Sequence, residues 1–229
     1  MSSLTSSLTS SRDRSSGTKG TMLSNVILDL DSTVINSLRP WDKQPKGLIG
    51  HHMKDDGPDG TGETEYIVYE RPHLQEFLDY LFANYRVAVW TAASVDYAAF
   101  IIEEILLQKK PNRKLAFFLF DYHGELCEKN GSESPKDLQL VWNTFPGFTK
   151  DNTIIVDDYE AVYLPQMCNS YPIPPFLADA SDATSDTELL RLMKKMSSPN
   201  AGKCPNSNLV TEATLQKALA KAEASAQND

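Results

Sequence analysis

Two apolar runs that each end in acids constrain this chain more than any other feature. "NVILDLD" begins at Asn25 and "TIIVDD" at Thr153. Aliphatic runs without polar alternation predict strands covered on both faces, the pattern of a parallel sheet held between helices. The intervening sequence supports this. "RPHLQEFLDYLFANY" predicts a helix, with Pro72 in its first turn and Leu74, Phe77, Leu78, Leu81 and Phe82 along one face. "RVAVW" predicts a second buried strand, "TAASVDYAAFIIEEILLQ" a helix capped by Ser94, and "KLAFFLF" a third strand. "PKDLQLVW" opens a short helix, and "SDTELLRLMKKM" reads as a closing helix with Ser185 and Glu188 in capping-box positions. Strand and helix alternate, so the expected fold is α/β with a central parallel sheet and right-handed crossovers.

Between these elements the punctuation predicts loops. Residues 41–65 carry Gly57, Pro58, Gly60 and Gly62 among charges and read as an insertion before the strand "EYIVYE". "DYHGELCEKNGSES" reads as a turn-rich excursion, and "PQMCNSYPIPPF" as an irregular segment crossing the sheet. The expected organisation is a flexible Ser/Thr-rich extension over residues 1–21, one domain over 22–197 and a weakly structured tail over 198–229.

Composition then excludes several functions. The first 21 residues lack the apolar block of a secretory signal, and no later run is long enough to span a bilayer. A soluble intracellular protein of nucleus or cytoplasm, without a membrane partner, is expected. The formal net charge of -9 argues against nucleic-acid binding. Cys127, Cys168 and Cys204 lack metal-ligand spacing and read as thiols. His51 and His52 read as surface-loop residues, and Trp90 and Trp142 as core.

The acids need a different account. In an open parallel sheet, ligands bind outside the carboxyl ends of the strands. Asp29 and Asp31, Thr91, Lys136, and Asp157 and Asp158 all fall at or beside such ends. Several carboxylates cannot converge there in ionised form unless a cation joins them, and Mg2+ suits an all-oxygen site that also receives a phosphate. One aspartate would then act as nucleophile toward phosphorus and the other as proton shuttle. Thr33, Thr91 and Lys136 would hold the oxygens of the transferring phosphoryl group.

"LDLDSTVINS", "VYERPHLQEFLDYLF", "VAVWTAASVDYA", "PKDL", "IIVDDYEAVYLPQ" and "SDTELLRLM" together resemble the FCP/SCP-type, NLI-interacting-factor-like carboxy-terminal-domain phosphatases of the haloacid dehalogenase superfamily. The likeness spans roughly residues 22 to 196. It implies a Rossmann-like three-layer domain with a small insertion and no large cap. It also implies Mg2+ dependence and removal of phosphate from serine or threonine of a protein or peptide, typically the tail of RNA polymerase II. On this resemblance Asp29 is the nucleophile and Asp31 the general acid/base, whose carbonyl also reaches the metal. Thr33 and Thr91 contact phosphate, Lys136 is the motif lysine, Asp158 is a metal ligand and Asp157 orients it. The departures lie on the substrate side: Val34, Ile35 and Asn36 replace Leu-Val-His, Ala93 replaces a serine, and Asp121 stands where an arginine engages the peptide.

Two other readings stand beside this one. A non-catalytic binding module, like the related mitochondrial translocase receptor domain, would keep the fold and lose a catalytic acid. A phosphatase of a small metabolite or of nucleic-acid ends would share the chemistry and differ in its cleft.

Overall fold

The computed structural model describes residues 23–55 and 64–197. The expected terminal extension and tail, and Gly57, Pro58, Gly60 and Gly62, lie outside these residues. Eight strands are described: β1 (Asn25–Leu28), β2 (Ile35–Leu38), β3 (Gly50–Asp55), β4 (Thr64–Glu70), β5 (Arg86–Trp90), β6 (Leu115–Leu119), β7 (Thr153–Asp157) and β8 (Ser170–Pro172). The helices are α1 (Leu74–Asn84), α2 (Val95–Phe100), α3 (Asp121–Lys129), α4 (Leu138–Thr144), α5 (Glu160–Tyr163) and α6 (Glu188–Met196). A π-helical segment, Ile101–Leu107, prolongs α2.

Five strands form one sheet in the order β6-β5-β1-β7-β8, and every pairing in it is parallel. Its two faces follow from side-chain alternation. Val26 and Leu28 of β1, Val87 and Val89 of β5, and Ile154 and Val156 of β7 pack in one cluster with α1, α2 and α6. Ile27, Ala88, Trp90 and Ile155 point the other way, toward Cys127, Leu138, Val141 and Val162. Helices on both faces make the expected three-layer α/β sandwich. Each fully buried aliphatic side chain contributes about 1.5–3 kcal/mol relative to exposure, so the strands that position the acids are among the firmest parts of the domain.

The insertion between β1 and α1 is a second, antiparallel sheet in the order β2-β4-β3. This corrects the loop reading. β3 is "GHHMKD", too polar to announce a strand; Met53 is buried, while His51 binds Glu70 at 2.8 Å and His52 is solvent-exposed.

Several other expectations change. "DYHGELCEK" is the helix α3, hidden in the sequence because it carries a central glycine and buries only Cys127. β8 forms within the supposedly irregular "PQMCNSYPIPPF", as a three-residue edge strand beside β7. The start of α6 is held by Asp186, whose Oδ1 accepts from the Glu188 amide at 2.9 Å, while Ser185 lies in a preceding 3-10 turn. At α1, Pro72 falls just before the helix, whose N-cap is His73. Ser94 caps α2 as expected by accepting from the Tyr97 amide. Cys127 is a buried free thiol, whereas Cys168 is disulfide-bonded, against the thiol reading. Trp90 is fully buried and Trp142 partly, both within the second cluster.

Candidate active site

The chain leaves β1 at Leu28 and turns at once. The Asp29 amide donates to the Val156 carbonyl at 3.0 Å, extending the parallel ladder and fixing where this carboxylate emerges. Over the next residues the Leu30 carbonyl accepts from the amides of Thr33, Val34 and Ile35. Closing so tight a loop puts Ser32 in the left-handed region, at φ 58. The turn brings the Thr33 hydroxyl back to the Asp29 carboxylate, 2.9 Å from Oδ2.

Arg71, almost wholly buried, holds this loop from behind. Its Nη1 donates to the Thr33 carbonyl at 2.8 Å and to Pro174 at 3.0 Å. Its Nε and Nη2 form a fork with Asp186 at 3.0 and 2.8 Å. Sequence reasoning missed this residue, which sits in "YERPH" like any charge before a helix.

Five of the seven residues expected at the site form one hydrogen-bonded cluster. Lys136 Nζ lies 2.5 Å from Asp29 Oδ1 and 2.8 Å from Asp157 Oδ2. The Thr33 hydroxyl is also 2.9 Å from Asp158 Oδ1 and accepts from the Asp158 amide at 3.2 Å. Asp157 Oδ1 accepts from the Tyr159 amide at 2.9 Å, so both its oxygens are engaged. The other two, Asp31 and Thr91, line the same cleft of about 690 Å3. Thr91 is buried, and its hydroxyl accepts from the Ala93 amide at 3.1 Å. Asp31 Oδ1 accepts instead from the Tyr97 hydroxyl at 2.7 Å.

Lys136 is positioned by a residue the sequence did not single out. The Gln166 amide group donates to the Lys136 carbonyl at 2.9 Å, and its Oε1 accepts from the Leu138 amide at 3.1 Å. This clasp fixes the turn into α4.

Four carboxylates therefore face one ammonium. Burial alone would lower the Lys136 pKa, but Asp29 and Asp157 outweigh it and hold the ammonium above its usual range. Burial and then the Asp29 charge push Asp157 and Asp158 upward. Asp31 is pushed up to about 6, by burial first, against the lowering hydrogen bond from Tyr97.

Such a set fits a hard divalent cation. Asp29, Asp157 and Asp158 each offer an oxygen, all within 4.8 Å of one another, and they are the one such group among the described residues. The Thr33 hydroxyl has a single proton for two carboxylate oxygens, so anionic acceptors outnumber donors at that point. A cation held by oxygen ligands offsets such an excess. Of the three, Asp158 keeps an oxygen, Oδ2, outside the hydrogen bonds described above.

The raised Asp31 pKa has a stability consequence of definite sign. Its folded value is about 6 against an ordinary 3.8, so the folded state retains a proton that the unfolded chain has lost. Stability from this source is complete below pH 3.8 and gone above about 6. In metal-free protein, Asp31→Asn is expected to exceed the wild type in stability by about 2–3 kcal/mol at pH 8, and to match it near pH 3.5. Urea midpoints at the two pH values measure this; equal midpoints at pH 8 contradict it.

The family model for NLI interacting factor-like phosphatases matches residues 24–204. The chain belongs to this family. A CTD phosphatase-like protein of invertebrate iridescent virus 6 is 38% identical over 174 residues, 74% of this chain and 95% of that one. Human ubiquitin-like domain-containing CTD phosphatase 1 is 29% identical over 126 residues, 53% of this chain and 39% of that protein. Among solved structures, fission yeast RNA polymerase II CTD phosphatase Fcp1 superposes with a TM-score of 0.50 at 18% identity, covering 88% of this chain. The chain spans little more than half of that structure, 56%. The phosphatase family and its haloacid dehalogenase-type fold thus agree with the parallel sheet and its helices. No helix among the described residues is long and apolar enough to cross a membrane.

Proposed function

We propose that this family member is a Mg2+-dependent phosphatase of phosphoserine or phosphothreonine in proteins, working through an aspartyl-phosphate. The observation carrying the proposal is the Asp29 carboxylate held between the Thr33 hydroxyl and the Lys136 ammonium, with Asp158 alongside. In this reading an Asp29 oxygen attacks phosphorus while the bond from phosphorus to the serine or threonine oxygen breaks. Asp31 gives its proton to that departing oxygen, then takes one from the water that attacks phosphorus and releases phosphate, regenerating Asp29. Lys136, Thr33 and Thr91 bind the phosphoryl oxygens. Mg2+, held by Asp29, Asp158 and the Asp31 carbonyl, would supply positive charge against the phosphoryl group.

Hydrolysis of p-nitrophenyl phosphate by the full chain, with and without Mg2+, tests this. Turnover that requires Mg2+ supports it. Metal-loaded, folded protein that leaves the ester intact returns the binding-module reading.

The cleft wall bears on which phosphoproteins fit. Asp121, Glu125 and Glu128 of α3 line the cleft, with Lys129 paired to Glu125 at 3.1 Å. Asp121 occupies the position where the resemblance places an arginine, so the local charge is inverted. Phosphopeptides with Lys or Arg beside the phosphoserine are expected to show kcat/KM on the order of tenfold above Glu-flanked ones at low salt. The difference should shrink as salt screens it. Equal rates for both peptides, or faster turnover of the acidic one, would count against this wall as a selectivity element.

A further inference from the structure

We infer that Tyr97 is a positioning residue for Asp31, fixing which carboxyl oxygen faces the substrate. This rests on the reading of Asp31 as proton donor and goes beyond it by assigning a residue that aims the donor.

Tyr97 lies in the first turn of α2, where Ser94 accepts from its amide and fixes the turn. Its ring is buried and meets Tyr66 edge-on, with centroids 5.9 Å apart. The Arg39 guanidinium lies over the far ring, 4.1 Å from the Tyr66 centroid. The Tyr97 hydroxyl is therefore carried on a rigid stack. It donates to Asp31 Oδ1 at 2.7 Å, and the Ser37 hydroxyl of β2 makes a close contact with the same phenolic oxygen.

The direction of these bonds follows from proton counting. A phenol keeps its proton at neutral pH and has one to give. Given to Asp31, it leaves the phenolic oxygen to accept from Ser37. Asp31 Oδ1 is then occupied as an acceptor, so a proton carried by the carboxyl sits on Oδ2. One oxygen is anchored toward the insertion, and the other is free for the cleft. The relay runs from the antiparallel sheet through α2 to the acid, tying the insertion to the chemistry.

Substrates with different leaving groups test this. Nitrophenolate leaves without a proton, whereas a serine alkoxide requires one. Tyr97→Phe in the full chain is expected to lower kcat/KM for a phosphoserine peptide on the order of 10- to 100-fold, while kcat/KM for p-nitrophenyl phosphate changes by less than about threefold. Ser37→Ala, which leaves the phenol in place, should show the same selectivity with a smaller loss, and it carries the test if the Tyr97 variant does not fold. An equal loss on both substrates, or none on either, overturns the role. A wild-type protein inert toward p-nitrophenyl phosphate removes the phosphatase reading itself, a different failure from an active enzyme whose variants lack selectivity.

Discussion

Asp29→Asn should lose at least about 10^4-fold in turnover while the protein folds almost as before. On the proposed mechanism, the activity loss follows from replacing the carboxylate assigned to attack phosphorus with an amide that does not form an acyl phosphate. The preserved fold follows from the local hydrogen bonds. The Asn oxygen can still accept from Lys136, where Asp29 Oδ1 lies at 2.5 Å. Its NH2 group can donate to the Thr33 hydroxyl, freeing that hydroxyl's proton for Asp158. One charge also leaves an acid-rich site. Turnover of p-nitrophenyl phosphate beside a thermal melt makes the measurement. A variant with wild-type rates would end the assignment of Asp29 as nucleophile.

Arg71→Ala is expected to cost about 3–5 kcal/mol of stability. For a domain of this size that lowers the melting temperature by roughly 10–15 °C. Arg71 is almost fully buried and makes the fork to Asp186 together with bonds to the carbonyls of Thr33 and Pro174. Its guanidinium also lies over the Phe176 ring, 5.6 Å from the centroid. Truncation leaves one carboxylate and two carbonyls short of a donor within the fold. Arg71→Lys should recover only part of the loss, because an ammonium cannot serve the fork and both carbonyls at once. Because the Thr33 carbonyl belongs to the Asp29 loop, activity below the melting temperature should fall too. A melt within two or three degrees of wild type would mean that the loop is held by other contacts.

Much of this architecture was legible because the decisive elements sit where burial is two-sided. β1, β5 and β7 have no polar alternation, and α1 carries an unbroken apolar stripe, so period and composition agree there. β3, α3 and β8 were not legible for the converse reason. Each lies at an edge or on the surface and owes its conformation to pairing or docking with elements distant in sequence. The site divides in the same way. Asp29, Asp31, Asp157 and Asp158 declare themselves as acids at buried strand ends, where desolvation makes an idle charge costly. Arg71, Tyr97 and Gln166 carry no such mark. A tyrosine in an apolar helix face or an arginine before a helix looks the same whether it supports an active site or a core.

The register of β1 has a consequence for how the molecule comes into being. Asn25 pairs with Arg86 on one side and with Thr153 on the other, so the central strand waits for a partner made more than a hundred residues later. Loop closure over such a span is slow, and contacts of this kind form late in folding. A nascent chain that has made β1 through β6 holds Asp29 but neither Asp157 nor Asp158, and so lacks most of the oxygen cage. On the proposed mechanism, the site is complete only once β7 and the acids at its end have joined β1.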